Sequence, residues 1–165
     1  LLKGEEVENT DFETTVDFNV DAYIPTSYIQ NEYIKLDMYK RIAAVENEEE
    51  CMDIQDELID RFGDIPKAVQ NLLSISLLRV MAHSLYVTDV SGNKQEIKLK
   101  MYRNAQVHVE NIPQLLKQYG GRLKFTAGEE PCFTYTERNK VNKDVDAVFN
   151  TVKILLNDIK LLLVS

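Results

Sequence analysis

Residues 48–85 narrow the choice of fold more than any other stretch of this chain. Cys51, Ile54, Leu58 and Phe62 recur at i, i+3, i+7 and i+11, an apolar stripe of helical period. Gly63 follows where a left-handed residue ends a helix, and Pro66 suits the first turn of the next. Over 66–85, Val69, Leu72, Leu73, Ile75, Leu77, Leu78, Val80, Met81 and Leu85 occupy most of a helix circumference, so this third helix is predicted to be central and buried. Two consecutive helices with a tightly specified turn therefore anchor the fold.

Around them the pattern alternates in kind. Thr14, Thr15 and Val16, then Phe18 and Val20, predict a short strand over 14–20 that Pro25 closes. Ile34, Met38, Ile42 and Val45 place a first helix over 27–45. After residue 86 the period becomes two: 87–90 with 96–101, and 122–127 with 132–137, read as hairpins around Ser91-Gly92-Asn93-Lys94 and Gly128-Glu129-Glu130-Pro131. Val107, His108 and Val109 alternate as in a strand, and Pro113 opens a short helix stopped by Gly120-Gly121. Val145, Val148, Phe149, Val152, Leu155, Ile159 and Leu162 mark a final helix over 143–163. The expected class is α+β: three N-terminal helices, a small antiparallel β region of two hairpins, and a long C-terminal amphipathic helix. Residues 1–13 read as an acidic linker and 14–165 as one domain.

Charge and composition exclude several functions. The net charge is -8, and residues 1–21 carry seven acids against Lys3 alone. Nonspecific affinity for nucleic acid comes from Lys and Arg displacing counterions, so direct nucleic-acid binding is not expected. The eight Tyr and six Phe are expected as core and boundary rings rather than a base-stacking platform. Tyr23, Tyr28, Tyr33 and Tyr39 are clustered enough to line a seam between the connector and the first helix. No apolar run approaches the ~20 residues of a membrane span. Leu1 in place of Met, with no leader-like segment after it, suggests a piece of a longer polypeptide. Cys51 and Cys132 stand far apart, which suits buried thiols in a reducing cytoplasm.

Catalytic signatures are sparse. Gly120-Gly121 precedes a strand and lacks the Lys-Ser/Thr of a phosphate loop, so no cofactor is expected. His83 and His108 have no second ligand at metal spacing. The neighbouring acids Glu48-Glu49-Glu50, Asp56-Glu57 and Glu129-Glu130 fall on solvated faces or in a turn, where a carboxyl serves poorly as a general acid. A small α+β enzyme or ligand-binding domain using surface carboxylates and a histidine is the alternative reading, and it would need a cleft. What stands out instead is an acidic stripe, Glu49, Asp53, Glu57 and Asp60, on a face of the second helix away from its apolar stripe. Glu57 lies four residues before Arg61, the favourable orientation for an intrahelical ion pair. It serves either that pair or presentation of charge to a basic partner, and composition leaves both open.

Read in order, Asp21-Ala22-Tyr23-Ile24-Pro25, then Leu36-Asp37-Met38-Tyr39-Lys40-Arg41-Ile42-Ala43, Glu57-Leu58-Ile59-Asp60-Arg61-Phe62-Gly63 and the third helix, the chain resembles the C-terminal domain of the bacterial transcription-repair coupling factors. The resemblance is dense over 21–85. It implies a non-catalytic, autoinhibitory domain of a DNA translocase that removes stalled RNA polymerase. Such a domain packs on an N-terminal module similar to the repair helicase UvrB and masks the surface that recruits UvrA. It also implies that the linker at 1–13 comes from a preceding motor domain. Carried onto this sequence, the contact would use Glu57 first, then Asp60 and Arg61, with Asp53 and Glu49 on the same stripe.

Overall fold

The computed structural model describes residues 12–138 and 144–164, so nearly all of the expected linker lies outside the described residues. The chain divides into two compact units, one formed by residues 20–80 and the other by residues 1–19 with 81–165.

The first unit is helical. Helix α1 is Glu32–Ala43, α2 is Glu48–Phe62 and α3 is Lys67–Ser84, whose last turn belongs to the other unit. Helix α1 begins five residues later than the 27–45 expectation. The amides of Tyr28 and Ile29 turn back onto the Pro25 carbonyl at 3.0 and 3.1 Å, and the Asn31 side chain accepts from the amides of Tyr33 and Ile34. An N-cap that satisfies two free amides fixes a helix start more firmly than apolar spacing does. Asn47 caps α2 by accepting from Glu50, whose carboxylate accepts from the Glu46 amide at 2.8 Å. Helix α2 ends at Gly63, with φ of 88° and ψ of -161°. This is not the expected left-handed helical cap. It is an extended backbone of positive φ, a region almost reserved for glycine. The Pro66 carbonyl accepts from Val69 and Gln70 and starts the next turn.

Met38 and Ile42 of α1, Cys51, Ile54 and Leu58 of α2, and Val69 and Leu73 of α3 are buried together with Ile24 and Ile29. Of the four tyrosines expected at a seam between the connector and α1, Tyr39 serves it, whereas Tyr28 ties the connector to the end of α2. The Tyr28 hydroxyl donates toward the carbonyls of Leu58 and Gly63, and the Tyr39 hydroxyl accepts from the Ile24 amide. Tyr33 is 86% exposed and Tyr23 is half exposed.

The second unit contains β1 (Thr15–Phe18), β2 (Val87–Gly92), β3 (Glu96–Met101), a short helix α4 (Ile112–Gln118), β4 (Leu123–Thr126), β5 (Cys132–Thr136) and α5 (Val145–Lys160). The two expected hairpins are present but not separate. Strand β3 pairs antiparallel with β5, and β1 adds to β2 in parallel, giving one mixed five-stranded sheet in the order β1-β2-β3-β5-β4. Pairing between distant strands leaves no local sequence signal, which is why the α+β class was legible and the single sheet was not. Gly92 closes the β2–β3 hairpin at φ 149°, where a Cβ would stand 2.2 Å from the Glu96 carbonyl oxygen. Val90, Leu99 and Phe133 of the sheet are buried, as are Val152, Leu155 and Leu156 of α5, and Phe18 meets Phe149 edge-on. The alternation at 107–109 does not make a strand. Val107 forms one isolated bridge with Leu163, and Val109–Asn111 is a 3-10 turn leading into α4.

Candidate interaction surface on the second helix

Helix α2 holds all five residues singled out from the sequence, because its 3.6-residue period turns Cys51, Ile54 and Leu58 inward and leaves the acids outside. Glu49, Asp53 and Asp60 are exposed, and none of them holds an ion pair among the described residues. Glu57 behaves differently. Its two carboxylate oxygens receive the Arg41 guanidinium in a bidentate pair at 2.6 and 2.8 Å, and Arg61 adds a third contact at 2.9 Å. The intrahelical pair with Arg61 was legible in the spacing. The Arg41 contact was not, since it crosses from α1 and depends on how two helices pack.

Arg41, and then Arg61, stabilise the charged form of Glu57 and hold its carboxyl down at about 2. The same hydrogen bonds keep Arg41 a cation, with its pKa pushed up. Two guanidinium groups on one carboxylate cancel its charge locally. Glu57 therefore orients Arg41 and Arg61 more than it projects negative charge, and the outward acidic character belongs to Glu49, Asp53, Asp56 and Asp60. Arg61 is further placed by its own neighbour, with its guanidinium carbon 4.9 Å from the centre of the Phe62 ring.

Two exposed apolar residues share this helix. Met52 is 56% and Ile59 is 51% exposed, and Asp56, Glu57, Ile59 and Asp60 line a shallow, open depression. They escape notice in a search for charged groups. The signal was present, since Met52 and Ile59 fall off the Cys51-Ile54-Leu58 stripe.

The groups considered for chemistry lie elsewhere. His83 approaches the Thr14 hydroxyl at 3.1 Å and packs against the Phe12 ring, whereas His108 pairs with the exposed Glu110 at 3.2 Å. Glu110 has its carboxyl lowered by a backbone hydrogen bond and by His108. Among the described residues, no group of three or more His, Cys, Asp or Glu could hold a metal ion. One cavity in the sheet unit is about 220 Å³, with Met101, Ile112, Phe125, Phe133 and Leu162 among its mainly apolar lining. It does not bring a histidine together with carboxylates. Among the described residues, no helix is long and apolar enough to cross a membrane.

Comparison with known proteins identifies the family. A model of the TRCF domain matches residues 18–112, more than half of the chain. The chain belongs to the TRCF domain family. The matched span of the TRCF domain includes all of α1, α2 and α3 and the first hairpin. The transcription-repair-coupling factor of Bacillus subtilis (strain 168) is 37% identical over 123 residues, which is 73% of this chain and 10% of that protein. That of Staphylococcus haemolyticus (strain JCSC1435) is 35% identical over 141 residues, 84% of this chain and 12% of its own. This TRCF chain thus spans about a tenth of the length of these curated relatives. The fold is similar to a crystal structure of the C-terminal domain of transcription-repair coupling factor, with a TM-score of 0.66 and 22% identity over 89% of this chain and 92% of that one.

Proposed function

We propose that this TRCF domain is a non-catalytic regulatory element of a transcription-coupled DNA repair translocase, acting in the cytoplasm. In this reading residues 1–13 link it to a preceding motor domain and 14–165 form the C-terminal domain. It packs on the parent's N-terminal UvrB-like module and masks the surface that recruits UvrA. Engagement of RNA polymerase by the parent shifts the population toward an open form in which that surface is free. The observation that carries this reading is the outer face of α2, where Asp53, Asp56 and Asp60 are exposed beside an arginine pair fixed by Glu57. A face of that kind sets orientation and partner choice for a basic surface.

The test is titration of this chain against the parent's separately expressed N-terminal module at two salt concentrations. Binding that weakens with salt, and weakens further in Asp53→Lys and Asp60→Lys, is expected. Glu57→Lys is a harsher probe because it also releases Arg41 and Arg61, so its effect is to be compared with Glu57→Gln. Absence of binding at either salt would overturn the reading.

A further inference from the structure

Exposed charge alone does not hold two proteins together, because rim charges mainly steer and align. The solvent side of α2 offers something else. Met52 and Ile59 are seven residues apart, which on an α-helix puts them about 10 Å apart along the axis and within about 20° of each other around it. Asp56 lies between them along the chain, and Asp53 and Asp60 follow on its flank. The buried stripe of Cys51, Ile54 and Leu58 occupies another side of the helix, so the two exposed apolar residues contribute nothing to the core that this stripe seals.

We infer that Met52 and Ile59 form an apolar strip that anchors a partner protein surface, and that this surface carries an apolar hollow bordered by lysine or arginine. The partner's chemistry follows from charge complementarity: Glu49, Asp53, Asp56 and Asp60 hold no ion pair within the described residues and flank the strip. Ile59 is the stronger anchor. It is branched and stiff, it lines the shallow depression with Asp56 and Asp60, and it lies two residues from Glu57, whose bidentate pair with Arg41 ties this end of the helix to α1. Water leaves the centre of such a contact, and the surrounding acids then meet their partners at lower dielectric.

This inference rests on the docking reading above and deepens it, and the experiment separates the two. The full chain and its Ile59→Ser, Met52→Ser and Asp60→Lys variants are titrated against the N-terminal module over a series of salt concentrations. Both serine variants replace exposed side chains, so circular dichroism and thermal midpoints should match the wild type. Ile59→Ser is expected to weaken binding by about tenfold or more at every salt, with the salt slope unchanged, and Met52→Ser by less. Asp60→Lys is expected to reduce the salt slope. Wild-type binding that both serine variants reproduce within about twofold would overturn the anchor and leave the docking reading intact. No wild-type binding at any salt would overturn both.

Discussion

Glu57 shows at the scale of one residue how an interaction can be half legible. Its partner four residues on was evident from spacing, whereas Arg41, sixteen residues back, became a partner only through the packing of α1 on α2. A pH experiment isolates the cluster. The carboxyl sits at about 2 in the folded chain against an ordinary value of 4.5, so the folded state favours the ionised form. The stabilisation is present in full above the unfolded value and is lost as pH falls from about 4.5 through about 2. The groups are about a third or more exposed, which places the contribution near 0.5–1 kcal/mol at neutral pH. Urea unfolding of wild type and Glu57→Gln should differ by that amount at pH 7, and the two curves should converge toward pH 2. A gap that persists at pH 2 would assign the effect to packing.

At the scale of elements, the sequence placed helices better than it placed their ends. The spacing of Ile34, Met38 and Ile42 identified α1 correctly, but Asn31 rather than Ser27 decided where it begins. Apolar periodicity reports which face is buried, while a boundary depends on which side chain satisfies the free amides. Asn47→Ala should cost about 1 kcal/mol by removing the side-chain bond to the Glu50 amide, while the Glu50 carboxylate still accepts from the Glu46 amide. Chemical denaturation measures it, and Glu50→Ala in the same background shows whether the two contacts act together. The β2–β3 hairpin was legible for the same local reason, since Asn93 accepts from Gln95 and Glu96 within the turn itself. The joining of β3 to β5 had no such local mark. Exposure of Ile59 could be read from the helical wheel, since it falls off the Cys51-Ile54-Leu58 stripe.

The whole molecule divides its two thiols between its two units. Cys51 is buried in the helical unit and Cys132 is partly exposed in the sheet unit. Under native conditions a thiol reagent should modify Cys132 at least about tenfold faster, because Cys51 reacts only when its surroundings open. Equal rates would mean that the helical core is loose. Each thiol therefore reports on its own unit, and the order of those units along the chain carries a consequence for biogenesis. Strand β1 pairs with β2 in parallel, matching Thr15 with Asp89 and Phe18 with Gly92, and the entire helical unit is encoded between them. During synthesis the three helices leave the ribosome while β1 still has no strand to join. The earliest-made strand of the sheet must therefore wait through some seventy residues of translation before its first backbone partner exists.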